Sequence, residues 1–275
     1  MKIVTWNVNG IRARQDEVAA FVAREQPDVL CLQEIKSLPD SIPQTVCELP
    51  GYWCYWHGVK GYSGVGLHVR KQLAFDRPTY AHPEFDYETR IAVVRVQGIN
   101  IASIYVPNGG KDFPAKIRFL EAMVAYVAAL RATKDRVVLC GDFNIARTER
   151  DVHPRERNER LYGQRPDERA LFERLLDSGG LHDVGRERDP DNDALYTWWA
   201  PWRNMRQRNI GWRLDYVLTT GDLATGAQSC VAMREYGTSD HAPVVATFGV
   251  ELERGPEPPV SPPPVARGPT QGSLF

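Results

Sequence analysis

Ile91-Ala92-Val93-Val94-Arg95-Val96-Gln97-Gly98-Ile99-Asn100-Ile101-Ala102-Ser103-Ile104-Tyr105-Val106 contains two apolar, β-branched runs, 91–97 and 99–106, separated by Gly98 alone. Such runs read as neighbouring strands joined by a turn. Upstream, 52–57 and 64–69 form a second pair of this kind, so strict alternation of strand and helix fails after residue 50. A doubly wound parallel sheet is therefore disfavoured. Working outward, strand-like runs also occupy 2–6, 28–33, 136–141, 213–219, 227–233 and 243–248, ten in all. Helical periodicity is confined to three places. These are 11–25, with Ile11, Val18, Phe21 and Val22 on one face; 114–131, carrying Ile117, Leu120, Val124 and Val127; and 167–177. Ten strands with few helices predict an α/β chain of two packed mixed β-sheets flanked by helices. No internal sequence repeat is visible.

The 275 residues carry 34 Lys+Arg against 35 Asp+Glu and are 43% apolar. That balance excludes a wholly disordered chain and a small disulfide scaffold. A net charge of −1 also excludes a histone-like cation, so a polyanion must be held by a local patch. The cysteines Cys31, Cys47, Cys54, Cys140 and Cys230 form no C-x-x-C pair. They read as reduced core thiols of a cytosolic protein. No apolar run reaches the roughly 18 residues of a membrane span, and the strand-like start at Lys2 leaves no room for a signal peptide. From 251 onward Pro256, Pro258, Pro259, Pro262, Pro263, Pro264 and Pro269 interrupt any ladder. A globular domain over 1–250 and a Pro-rich disordered tail over 251–275 are expected.

Polar residues recur at the C-terminal ends of the apolar runs: Asn7, Glu34, Tyr105, Asp142 and Asn144. Strand ends of this kind can converge on one sheet edge. Glu34, Asp142, Asp215 and Asp240 supply hard oxygen ligands, with Asn7 and Asn144 as neutral ones, which is a magnesium set rather than a zinc set. Mg²⁺ chemistry favours phosphoryl or phosphodiester substrates. No Gly-rich nucleotide loop of the kinase or dehydrogenase type is present. Residues 198–213 hold four Trp, four Arg and no acid. Indoles stack on bases or line a sugar pocket, and guanidiniums meet phosphates; Arg203, Arg206 and Arg208 are thus candidate DNA contacts, with a Trp-rich core corner as the alternative.

Thr5-Trp6-Asn7-Val8-Asn9-Gly10-Ile11-Arg12, Leu32-Gln33-Glu34, Gly61-Tyr62-Ser63-Gly64-Val65-Gly66, Tyr105-Val106-Pro107-Asn108-Gly109, Gly141-Asp142-Phe143-Asn144, Gly211-Trp212-Arg213-Leu214-Asp215-Tyr216 and Ser239-Asp240-His241-Ala242-Pro243 occur in this order. Together they resemble the exonuclease III family of AP endonucleases, from residue 1 to about 248. The resemblance implies a four-layered α/β sandwich and a monomer acting on double-stranded DNA in the cytoplasm. It implies a nuclease dependent on Mg²⁺, or Mn²⁺, that cuts on the 5′ side of abasic sites and trims 3′ ends.

Carried over by position, the resemblance makes Glu34 the principal metal ligand, with Asn7 and Asp240 beside it and Asp142, Asn144 and His241 in the wider metal set. Asp142 would orient or deprotonate the attacking water, Asn144 would donate to the phosphorane, and His241 paired with Asp215 would bind the phosphate. Tyr105 would lie near the nucleophile or leaving oxygen. Trp198, Trp212 and Leu214 match the pocket for a baseless sugar, and Tyr62, Arg90, Asn108 and Lys111 match DNA contacts. Two departures stand out: Asn9 where some relatives have Asp, and Thr89 where many have Gly. The terminal Gln271-Gly272-Ser273-Leu274-Phe275 looks like the short peptide by which bacterial repair proteins bind the sliding clamp. Another phosphodiesterase of the same superfamily, and a non-catalytic DNA-binding scaffold, are the alternatives.

Overall fold

The structure, a computed structural model, describes residues 1–256. Two six-stranded mixed sheets pack face to face. One is made of β1 (Lys2–Asn7), β2 (Val29–Gln33), β3 (Tyr52–His57), β4 (Val65–Arg70), β11 (Ala227–Ala232) and β12 (Val244–Phe248), in the order β11-β12-β1-β2-β4-β3. The other is made of β5 (Tyr80–Ala81), β6 (Ile91–Val96), β7 (Ile99–Tyr105), β8 (Arg136–Asp142), β9 (Leu181–Asp183) and β10 (Asp215–Thr220), in the order β5-β6-β7-β8-β10-β9. The helices are α1 (Ile11–Glu25), the short α2 (Gln44–Cys47), α3 (Phe113–Ala132), α4 (Pro166–Gly179), and the short α5 (Val184–Arg188) and α6 (Gly221–Thr225).

Alternation along the strands sends one face of each sheet inward. Ile3, Val29, Cys31 and Leu67 of the first sheet meet Val94, Ile101, Val138 and Val217 of the second. The outer faces are covered by helices. On one side α1 buries Ile11, Val18, Phe21 and Val22 against Val4, Leu30 and Leu32. On the other, Phe119, Leu120 and Met123 of α3 and Leu171, Phe172 and Leu175 of α4 cover Ile104, Leu139 and Leu218. Each such Leu or Phe contributes about 1.5–3 kcal/mol by leaving water. The result is the expected four-layered sandwich.

The two sheets repeat one topology that the sequence does not display. In each, a parallel pair is joined by a crossover helix: β1-α1-β2 in the first, β7-α3-β8 in the second. Each pair is flanked by antiparallel neighbours, β12 and β4 or β6 and β10. Because β1 faces β8 and β2 faces β7, the C-terminal ends of both parallel pairs open on the same edge. That edge carries the polar residues singled out above.

Two strands escaped the periodicity reading, β5 and β9, at two and three residues each. The run expected over 213–219 begins its ladder at Asp215. Residues 251–254, expected to belong to a solvated tail, dock on the body instead: Arg254 pairs with Asp28 at 2.8 Å, and Gln97 Nε2 donates to Glu253 O at 2.6 Å. Gly255 N follows, donating to Gln72 O at 2.8 Å. The Gln271–Phe275 peptide and the rest of the tail lie outside the described residues. All five cysteines are free thiols, and among the described residues no helix is long and apolar enough to cross a membrane.

Candidate active site

Backbone geometry sets the edge. Gly141 pairs with Ile104 so closely that a Cβ there would sit 1.8 Å from Ile104 O, so only glycine fits. Just beyond the strand ends Asn9, Glu34 and Asn144 take φ of 44°, 55° and 52°, in the left-handed region. Asn adopts that region more readily than most residues, whereas Glu there reflects a backbone held by its surroundings.

Two hydrogen bonds stitch the sheets at this edge. Asn7 Nδ2 donates to Asp142 Oδ2 at 2.9 Å, and Tyr105 OH donates to Glu34 Oε1 at 3.0 Å. Asn144 completes the cradle of Asp142, with its backbone N–H on Oδ1 at 2.8 Å and its Nδ2 on Oδ2 at 3.2 Å. Burial pushes the Asp142 carboxyl well above the ordinary carboxylate range, against the opposing charge of His241 and with Asp215 adding to the rise. Burial likewise raises the Tyr105 phenol, helped by Glu34 and Asp142, so it stays a donor.

His241 stands opposite. Its Nδ1 is 2.8 Å from Asp215 Oδ2 and its Nε2 is 3.8 Å from Asp142 Oδ2. Burial alone would lower its pKa, but the charges of Asp215 and Asp142 outweigh that and raise it. Raised in this way, the ring faces Asp142 as a cation, and His241, Asp142 and Asp215 converge, with ligand atoms within 4.8 Å of one another, as a group able to hold a metal ion. Asn144 Nδ2 donates to Val106 O and Asp142, and its Oδ1 accepts from Asn108 at 3.3 Å.

Asp240 is tied to both sides of the site. Asn9 Nδ2 donates to its Oδ1 at 2.8 Å and Trp198 Nε1 to its Oδ2 at 3.0 Å. Burial would raise its pKa, yet the His241 charge and these donors hold it below the usual range. Asn9 is thus a donor to an acid, with its own Oδ1 taken by Lys36 at 2.6 Å. The Lys36 ammonium also lies 3.4 Å from Glu34, a contact without a signal in the sequence. Glu34 Oε2 receives no hydrogen bond from the described residues, and the oxygen donors Glu34, Asn7 and Asp240 suit a hard divalent cation.

Trp198, Trp212 and Leu214 lie together. Trp198 and Trp212 meet edge to face at 5.5 Å and pack with Leu214, Ala146 and Val152. Arg213, between Trp212 and Leu214 in the sequence, is buried, forked onto Asp183 at 2.7 and 2.9 Å and bonded to Asp151 at 2.8 Å. The indole N–H of Trp212 is buried without a partner among the protein groups. Trp202, on the neighbouring turn, is 58% exposed.

The basic residues divide. Tyr62, Asn108, Lys111, Arg203 and Arg208 are exposed. Arg90 and Arg206 are corrected. Arg90 is buried, paired with Glu88 at 2.6 Å and stacked at 4.7 Å on Tyr105. The turn before it runs through left-handed Glu88 and Thr89, held by Asp86 Oδ1 accepting from Arg90 N and Ile91 N. Arg206 donates to the carbonyls of Arg234, Tyr236, Gly237 and Ser239, clipping the loop that leads to Asp240. Arg90 is turned inward by Glu88, two residues before it, and by Tyr105, whereas Arg206 is held by loop carbonyls 28 to 33 residues away. A second group, His57, His82 and Asp86, lies near the sheet interface, but His82 is already bonded to Ile91 O and Tyr55 OH.

A buried, cradled carboxylate facing an imidazolium, with oxygen ligands beside it, defines a phosphodiesterase centre on a four-layered sandwich. The sequence matches the Endonuclease/Exonuclease/phosphatase family over residues 4–241, and the chain belongs to that family. It is 32% identical over 251 residues to the Exodeoxyribonuclease of Bacillus subtilis, covering 89% of this chain and 98% of the relative. A 3′ phosphatase from Neisseria, bound to product DNA hairpin, superposes with a TM-score of 0.81 at 32% identity, over 90% of this chain and 99% of that one. An AP endonuclease from Archaeoglobus fulgidus gives 0.81 at 28% identity, over 91% and 100%. The protein is a DNA repair nuclease of the exonuclease III type, and metal dependence is general to its family.

Proposed function

We propose that the chain hydrolyses the phosphodiester 5′ to an abasic site in duplex DNA, with Mg²⁺ as the ion and Mn²⁺ able to replace it, and that the same centre removes 3′ blocking groups. Water attacks phosphorus, the P–O3′ bond breaks, and a 3′-hydroxyl is left beside a 5′-deoxyribose phosphate. Asp142, with its pKa raised by burial, orients the water and takes its proton. His241, held charged by Asp215, neutralises the phosphate oxygen on which charge accumulates. Asn144 donates to the same group, and Tyr105 lies next to the reacting oxygens. The cation would be held by Glu34 with Asn7 and Asp240, and would supply Lewis acidity.

The observation that carries abasic specificity is the Trp198–Asp240 hydrogen bond, which joins the indole pocket directly to the acid cluster. A sugar without its base fits such a pocket, whereas an intact nucleotide brings a base that does not. Exposed Tyr62, Asn108, Lys111, Arg203 and Arg208 would follow the backbone on either side. We further propose that Gln271–Phe275 binds a bacterial sliding clamp, on the strength of its sequence, and that the chain acts as a monomer.

Incision rates on an abasic duplex, an undamaged duplex, a 3′-phosphate end and an inositol phosphate, each with Mg²⁺ or EDTA, test this reading. Abasic incision that is lost in EDTA and in Glu34→Ala is the expected result. Equal rates on undamaged DNA or on the inositol phosphate would overturn it.

A further inference from the structure

Lys116 is the only buried lysine among the described residues, fully enclosed at 0% exposure. Its place follows from the start of α3. Asp112 caps the helix by accepting Ala115 N at 2.9 Å, which turns Lys116 onto the inner face with Phe119, Leu120 and Met123. The ammonium has three protons to place and three acceptors around it. These are Asn144 O at 2.8 Å, Asn108 O at 3.2 Å and the carboxylate of Glu168 in α4, itself fully buried. The other Glu168 oxygen accepts Gly163 N at 2.7 Å and Arg165 N at 3.2 Å. One cation therefore joins the loop after β7, the loop after β8 and the start of α4.

We propose that Lys116 is a positioning residue for the reaction, acting through the Asn144 and Asn108 carbonyls. Asn144 cradles Asp142 only while its peptide stays in the left-handed turn, and Lys116 holds the carbonyl of that residue. Gly163 closes the other side, where a Cβ would lie 2.9 Å from Asn144 O. The same ammonium fixes Asn108, whose side chain reaches Asn144 Oδ1. A buried ion pair is weak evidence of stability, since apolar residues of equal volume often serve as well. Here its donors are directed to main-chain carbonyls of the two loops that bear the site.

The inference rests on Asp142 and Asn144 forming the reacting edge, and the experiment separates the two. Thermal midpoints and kcat and KM on an abasic duplex in Mg²⁺ are measured for Lys116→Met, for Lys116→Met with Glu168→Gln, and for Lys116→Arg. Lys116→Met strands a buried carboxylate and loses both stability and turnover. The double variant removes that charge and regains most of the melting temperature, yet its kcat stays down about 100-fold, the scale of a misplacement near 1 Å, with KM little changed. Lys116→Arg keeps the charge and the fold but splays the donors in a plane, lowering kcat about tenfold by the same positioning logic. A wild-type kcat in either folded variant would overturn the proposal. Failure of the wild type to incise, or full activity in Asp142→Asn, would instead sink the reading of the site itself.

Discussion

Asp215 accepts the Nδ1 proton of His241 at 2.8 Å and so directs the opposite ring nitrogen toward Asp142, 3.8 Å away. The ring is fixed in orientation as well as in charge. Asp215→Asn keeps the shape but removes the charge that holds the imidazole protonated. Turnover on an abasic duplex should fall about 10- to 100-fold, the usual cost of losing an orienting partner, with little change in KM. Unchanged kcat would mean that His241 needs no partner.

The indole pair should govern discrimination rather than general nuclease power. Trp212→Ala opens the pocket that Trp198 and Leu214 share, so the ratio of abasic to undamaged cleavage should drop on the order of 10- to 100-fold. A parallel loss on both duplexes would assign Trp212 to folding alone.

Exposed Arg203 and Arg208 should carry phosphate contacts, whereas Arg206 should not. Replacing the first two with Ala removes up to two counterion releases, flattening the slope of log K against log salt by about 1–2. Arg206→Ala should leave that slope in place and lower the melting temperature, because four carbonyls of residues 234–239 lose their donor. Binding titrations at several salt concentrations decide this, and a slope changed by Arg206→Ala alone would reverse the assignment.

Stability should fall in mild acid through His68. Both its ring nitrogens are buried without partners, and burial lowers its pKa to about 3 from 6.5. The unfolded chain binds a proton below pH 6.5 that the folded chain refuses, so folding weakens as pH falls from there toward 3. The slope approaches about 1.4 kcal/mol per pH unit. Urea midpoints from pH 7 to 4.5 should decline less steeply in His68→Leu than in the wild type. Identical declines would place the acid sensitivity elsewhere.

A peptide of residues 266–275 should bind a bacterial clamp with a Kd of micromolar order, roughly −8 kcal/mol, and Leu274→Ala with Phe275→Ala should abolish it. Calorimetry that detects no binding by the intact protein at tens of micromolar would remove this partner. Incision of naked DNA should survive loss of 257–275.

The strands around residue 98 were readable because β-branched runs broken by one glycine leave few alternatives. The polar edge was readable too, since Asn7, Glu34, Tyr105 and Asp142 each follow an apolar run and strand ends gather at an edge. Charges were harder. Arg206 has partners that no local spacing reveals, loop carbonyls 28 to 33 residues away, whereas the Arg90 partner Glu88 lies two residues before it and meets it through the left-handed turn at Glu88 and Thr89. Lys116 escaped for a different reason. Apolar periodicity assigns the inner face of α3 by its hydrophobes and put Ile117 there, whereas Ile117 is only half-buried and the lysine beside it points inward. Its position three and four residues before Phe119 and Leu120 was the available signal.

The anchoring of residues 253–255 on Gln97, Asp28 and Gln72 fixes where the chain departs. Those anchors lie at the starting ends of β2 and β7 and beyond the finish of β4, whereas the acids lie where β1, β2, β7 and β8 finish. Six residues of strand at about 3.3 Å each separate the two ends by roughly 20 Å. Residues 253–255 therefore lie at the end of the sandwich opposite the acids. A clamp bound as proposed through Gln271–Phe275 would then be joined from the face opposite the duplex, and the nuclease would cut while being towed.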